Sequence, residues 1–216
     1  MEIHIQGLAV DVIRASFPIL RSEDFGLDQY KEKDRQSCFA LLESIVTLLS
    51  LTEVCPLRYS DWVRTLVNLL FLDGPRRWNI DPNDYAPLLC AYILRLQHLC
   101  EDGEGLQKCR VVRSKALEER AGECFATGLD SALVRNCWNR RLFLTATGFL
   151  GLGPRTLQRD DVCCVFFSSP IPYILRPFQD GTYLFLGECF VEGLMQGEAI
   201  DMMENEELKE QTFVIR

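Results

Sequence analysis

With 216 residues, 48% of them hydrophobic and 25% charged, the chain has the length of one large domain or two small ones and the composition of a globular protein with a sizeable core. A formal net charge of −8 argues against a nucleic-acid partner, because neutralising phosphates takes clustered Lys and Arg. The longest apolar run, around Ile45 to Leu51, is interrupted by Thr47 and Ser50 and bounded by Glu43 and Glu53, well short of the roughly 20 residues a bilayer span needs.

Met1 to Ile13 reads as a strand pair or one bent strand. Ile3 and Ile5, then Leu8, Val10 and Val12, alternate with polar or small residues, and Gly7 shifts the phase between the two sets, which suggests a bulge. Ser22 to Arg35 is a polar connector. In Gln36 to Cys55, Cys38, Leu41, Leu42, Ile45, Leu48 and Leu49 recur at three and four, the spacing of one helical stripe, and Pro56 ends it. Ser60 caps the next helix, with Asp61 in its first turn and Trp62, Val63, Leu66, Val67 and Leu70 on the core face. Asp84 opens a third helix through Leu99. Ser114 to Phe125 and Ser131 to Arg141 are two more, so Arg140-Arg141 reads as a solvated helix end.

After Arg141 the hydrophobic period changes from about 3.6 to 2. Leu142 to Thr145, Phe149 to Leu152, Val162 to Phe167, Tyr173 to Leu175 and Thr182 to Val191 read as strands, with Asp180-Gly181 as a hairpin turn before the last. Asp201 to Glu210 is acidic and solvated, and Thr212 to Ile215 returns as a short closing strand. A single strand cannot satisfy its own backbone, so Met1 to Ile13 must join the sheet that follows Arg141. The expected fold is therefore one α+β domain. A small antiparallel β-barrel is built from both chain ends (residues 1–13 and 142–200), with a helical insertion over 36–141 and an acidic tail and closing strand over 201–216.

Ten cysteines and no recognisable signal peptide point to reduced thiols in a cytoplasmic protein, used as small core residues. A thiol hydrolase would need a Cys and a His brought together. The chain has two histidines, His4 in a strand and His98 on a Leu-rich helix, and Cys163-Cys164 lies inside an apolar strand where a thiol is inert. No Cys-x-x-Cys pair offers a zinc site, and His98 with Cys100 and Cys109 is the nearest approach. Gly151-Leu-Gly153 is half of a dinucleotide fingerprint, but Pro154 follows and no βαβ unit surrounds it, so tight strand corners explain these glycines better. No catalytic, cofactor or metal site is expected.

Several words in fixed order carry a resemblance. They are the opening IHIQGLAVDVI, the strand led by Arg140 and Arg141 with Phe143 and Thr145, then Gly148, Gly151, Gly153 and Pro154, then Pro172, Leu175, Arg176 and Pro177, and last Gly187, Glu188, Gly193, Met195, Gly197, Glu198 and Ala199. This combination resembles the C-terminal half of the fungal heterokaryon-incompatibility (HET) proteins, and the specific part covers about a third of the chain. The family usually has Gly-Asp where this chain has Asp160-Asp161, so that turn must differ or be strained. It often has His and Asp where Glu192 and Gln196 stand. The HET domain linked to cell-death triggering is absent, which makes the chain a fragment, a truncated gene product or a stand-alone module.

The resemblance implies a non-catalytic interaction or regulatory module for self/non-self recognition, with a protein partner that could itself be a HET-domain protein. The alternatives are a Cys-dependent hydrolase and a fragment without independent activity. Candidate partner-binding residues lie at the barrel rim: Ile171 in a proline-stiffened loop, Arg176 and Glu188 expected to face each other across the Asp180-Gly181 hairpin, and Glu198 at the barrel mouth.

Overall fold

A computed structural model describes residues 2–20, 43–45, 47–48, 58–59, 61–71, 81, 83, 85, 87, 89 and 135–216. Two compact units divide the chain: Met1–Phe17 with Arg140–Arg216, and Pro18–Asn139. The expected connector over Ser22 to Arg35, the cap at Asp84, and the helix over Ser114 to Phe125 lie outside the described residues.

Eight strands form the sheet: β1 (Ile3–Leu20), β2 (Arg140–Thr145), β3 (Leu150–Pro154), β4 (Val162–Phe166), β5 (Pro172–Pro177), β6 (Tyr183–Glu188), β7 (Phe190–Val191) and β8 (Glu210–Ile215). Their order is β4-β5-β6-β8-β1-β2-β3-β7, and β4 also pairs with β1. That extra pairing closes β1, β4, β5, β6 and β8 into a ring, from which β2, β3 and β7 continue. The orphan-strand argument therefore holds: β1 lies between β8 (Ile3 opposite Ile215, Leu8 opposite Glu210) and β4 (Gly7 opposite Phe166, Val12 opposite Val162), both antiparallel. One expectation fails. β6 and β8 run parallel, meeting at Tyr183 and Ile215, so the ring is not wholly antiparallel.

Two details of β1 correct the reading of its glycine. The strand runs on as one element to Leu20, and its bulge falls between Ala9 and Asp11 rather than at Gly7. Gly7 is needed for close approach instead. A Cβ there would sit 2.3 Å from the Val165 carbonyl oxygen and 3.0 Å from Phe166 Cα. Inside the ring, Cys164, Phe166, Leu175, Phe213 and Ile215 form the core, with Ile5, Ala9, Tyr173 and Tyr183 packed against it. Phe166 meets Phe213 edge-on at 5.7 Å and stacks on Tyr173 at 5.1 Å, aromatic geometries that add to area burial.

β2 begins at Arg140, so Arg140-Arg141 starts a strand and does not end a helix; the helical turn before it stops at Cys137. β2 pairs with β3, Phe143 opposite Gly151. Gly151 and Gly153 are not corners. They lie in the extended β3, and a Cβ would meet the Phe143 ring at 2.2 Å and 3.1 Å respectively, so both are small to admit that ring. The predicted long strand over Thr182 to Val191 is two strands. Gly187 takes φ 136°, Cys189 follows, and β7 leaves to pair with β3. A helix, α2 (Glu198–Glu204), occupies part of the acidic segment before β8.

In the other unit, α1 (Trp62–Phe71) forms as its apolar spacing predicts, with Leu66, Val67 and Leu70 buried and Leu69 and Phe71 buried as well. Its cap is Asp61, whose Oδ1 accepts the Arg64 N–H at 3.0 Å, in the position assigned to Ser60 from sequence. Glu43–Ile45 and Thr47–Leu48 are helical, with Ile45 and Leu48 buried.

Candidate functional site

The residues singled out at the rim are held by different partners. Each is bound elsewhere. Arg176 does not face Glu188: it stands opposite Leu184, while Glu188 stands opposite Tyr173, because Arg176 lies four residues before Asp180 and Glu188 seven after Gly181. Arg176 instead donates from Nε and Nη2 to the two carboxylate oxygens of Asp161, at 2.8 Å and 3.0 Å, and from Nη2 to the Thr156 carbonyl at 2.7 Å. Asp161 is buried, and its Oδ2 also accepts the Gln158 N–H at 2.7 Å. This is a bidentate, charge-assisted pair, the strong kind. The carboxylate bonding raises the Arg176 pKa above its ordinary value, so the guanidinium never loses its charge.

The turn that positions Asp161 is strained as expected. Asp160, standing where the family usually has Gly, takes φ 70°. Its N–H donates to the Ile13 carbonyl and the Ile13 N–H donates to the Asp161 carbonyl, so β1 grips this turn from both sides.

Glu188 pairs with Arg140 at 2.7 Å. Arg140 stands opposite Pro154, and a Cβ on Gly187 would sit 3.3 Å from the Pro154 ring. Arg141 donates to the Arg155 and Phe17 carbonyls at 2.8 Å and 3.3 Å. The paired arginines thus tie β2 to its neighbours, correcting their reading as a solvated helix end. Ile171 is half-buried beside Ser169, whose hydroxyl lies 2.9 Å from the Tyr173 hydroxyl. Glu198 opens α2 and accepts the Gln196 N–H at 2.7 Å. The signature residues therefore make separate ties: Arg140–Glu188 between β2 and the end of β6, and Arg176–Asp161 between β5 and the turn before β4.

Among the described residues the cysteines Cys163, Cys164 and Cys189 are free and buried, and Cys137 is buried with its thiol donating to the Leu70 carbonyl at 3.4 Å. Burial pushes the Cys164 thiol well up, and burial together with the neighbouring Cys163 does the same to Cys189, which suppresses the thiolate that nucleophilic chemistry requires. His4 is exposed on β1, away from these thiols, in an open cleft of about 550 Å³ with Gln6, Phe167, Ser168 and Thr212. Among the described residues no group of three or more His, Cys, Asp or Glu side chains is placed to hold a metal ion, and no helix is long and apolar enough to cross a membrane.

Sequence reasoning missed one surface feature. β6 carries Leu184 and Phe185 exposed, and no residue of that strand is buried. The unbroken Tyr-Leu-Phe-Leu run was the available signal, because an interior strand of a ring is expected to bury one face.

Fold and side-chain ties together define a class: a strand-rich protein in which a ring of strands is braced by arginine-carboxylate pairs and close-packed glycines. The chain belongs to the Het-6 beta-barrel domain family, which it matches over residues 98–212. It is also 35% identical over 106 residues to heterokaryon incompatibility protein 6, OR allele, of Neurospora crassa. That similarity covers 48% of this chain and 15% of the Neurospora protein, so the chain corresponds to a small part of its relative. No solved structure matches. The family match ends within β8 and leaves out β1, the strand that closes the ring.

Proposed function

We propose that this chain is a non-catalytic interaction module of heterokaryon incompatibility, in which the ring of strands is the family's barrel and the helical segment an insertion into it. It recognises or restrains a protein partner, and a HET-domain protein is the partner class the relationship favours. The observation that carries this reading is the internal use of the signature residues. Arg140 holds Glu188, Arg176 holds Asp161, and Arg141 holds backbone carbonyls. Such residues supply rigidity, and a rigid scaffold presenting loops is the usual basis of recognition. Among the described residues, buried, proton-holding thiols at Cys164 and Cys189 disfavour a hydrolase built on them.

The test is capture. The tagged full chain is mixed with purified HET-domain proteins from the same fungus, and the bound fraction is measured alongside labelling by a panel of thiol-directed activity probes. Saturable binding of a HET-domain protein without probe labelling is the expected result. Labelling abolished by one Cys→Ala substitution would replace this reading with the enzyme.

A further inference from the structure

Ser169-Pro170 is the one place among the 216 residues where a Ser or Thr precedes Pro. It lies in the loop that joins β4 to β5, Phe167 to Ile171. No residue of that loop is buried: Phe167, Ser168 and Pro170 are exposed, and Ser169 and Ile171 are half-buried. Within the turn the Ser169 N–H donates to the Phe166 carbonyl at 3.0 Å. Pro170 has no N–H to donate, and its ring biases Ser169 towards extended backbone. An accessible Ser followed by Pro is what a proline-directed protein kinase takes as substrate, because its pocket beyond the acceptor residue is apolar and asks for no N–H.

The Ser169 hydroxyl sits where a phosphoryl group would change the packing. Its Oγ lies 2.9 Å from the Tyr173 hydroxyl and accepts the Ile171 N–H at 3.4 Å. Tyr173 in turn packs on the ring core, stacked on Phe166 at 5.1 Å and tilted against Phe185 at 5.3 Å. A gap of 2.9 Å has no room for phosphorus and three more oxygens, so a phosphoserine side chain must turn outward and give up Tyr173. Outward is also where its charge of about −1.5 to −2 is solvated. The Tyr173 hydroxyl is then left to water, and its ring loses the tether that fixes it against Phe166 and Phe185.

We infer that Ser169 is a phosphoacceptor for a proline-directed protein kinase, and that its phosphorylation detaches the β4–β5 loop from Tyr173. In the transfer the Ser169 Oγ attacks the γ-phosphorus of Mg-ATP. The Oγ–P bond forms, the P–O bond to ADP breaks, and the hydroxyl proton passes to the kinase's catalytic Asp. The modification is independent of what the chain binds.

The full chain is incubated with Mg-ATP and, in parallel, a purified mitogen-activated protein kinase and a purified cyclin-dependent kinase. Phosphate is counted by intact mass and placed by peptide mass spectrometry. One phosphate per chain, on Ser169, is the expected result. Ser169→Ala takes up none and Ser168→Ala takes up the wild-type amount. Pro170→Ala is modified at least about tenfold more slowly, because the kinase's apolar pocket loses its filling. On phosphorylation the Tyr173 ring resonances move and Tm falls by about 2–4 °C, the loss of one hydrogen bond. Unphosphorylated Ser169→Ala, which lacks the same hydroxyl, shows the same fall. Four results overturn the inference: no phosphate on the folded wild-type chain from either kinase, phosphate on another residue in place of Ser169, an unchanged rate in Pro170→Ala, or unmoved Tyr173 resonances in the phosphorylated chain.

Discussion

Arg176→Met is the sharpest test of the brace between β5 and the turn before β4. Asp161 has a side chain 2% exposed, and in the wild type its two oxygens receive both guanidinium nitrogens and the Gln158 N–H. Met fills a similar volume but leaves the carboxylate buried with one neutral donor. Removing one partner of a buried ion pair costs about 3–5 kcal/mol, and because water reaches the Arg176 end the lower figure applies, about 3 kcal/mol. In a protein of this size that lowers Tm by about 6–12 °C. Asp161→Asn strands the more exposed partner, which keeps the Thr156 carbonyl, and costs about 1–2 kcal/mol. The double variant is then less destabilised than the sum of the singles. Urea titration followed by far-UV circular dichroism measures all three. An Arg176→Met variant within 1 kcal/mol of wild type, or an Asp161→Asn cost equal to it, would refute the assignment of the buried end of the pair.

Gly7→Ala forces a methyl against the Val165 carbonyl, and the expected loss is about 1–3 kcal/mol or more, read from the urea midpoint, with wild-type stability as the refuting result. Asp160→Gly relieves a left-handed backbone and stabilises by up to about 1 kcal/mol, so a destabilised variant would show that the Asp side chain matters more than its φ. Deleting residues 2–13 removes the strand between β8 and β4 and should abolish the cooperative melt; an unchanged melt would disprove ring closure. The Asp180 pKa is lowered, chiefly by hydrogen bonds from Thr182, so the stability it contributes is full above the ordinary carboxylate value and fades as pH falls through the depressed one. In Thr182→Val the Asp180 carboxyl titrates at higher pH by NMR, and an unmoved titration would assign the shift to the residue-182 backbone N–H and Arg216, which the substitution leaves in place.

Much of the sheet was legible because its signals are local. The period change near Arg141, the Asp180-Gly181 turn and the β-branched closing segment each mark an element within a few residues. The orphan-strand argument placed β1 correctly, because unpaired backbone is costly wherever it lies. What failed depended on partners distant in sequence. Arg176 was paired with Glu188 across the Asp180-Gly181 turn, but it lies four residues before the turn and Glu188 seven after it, so the ladder sets Arg176 opposite Leu184. Asp161 is found only through the fold, which brings β5 beside the turn. The glycines at 7, 151 and 153 were read as bends because Gly in a strand has two uses, and only the facing Phe143 ring or Val165 carbonyl distinguishes close approach from curvature.

Of the eight described strands, β1, which closes the ring, is synthesised before the others and its partner β8 after them. At ordinary translation rates of 5–20 residues per second, a ribosome needs about 10–40 s to reach β8 after β1 has been made. Through that interval β1 has apolar residues and open backbone but no β8. The cell must keep a nascent, aggregation-prone strand soluble until β8 has been made, which makes chaperone supply during synthesis a determinant of how much of this protein accumulates.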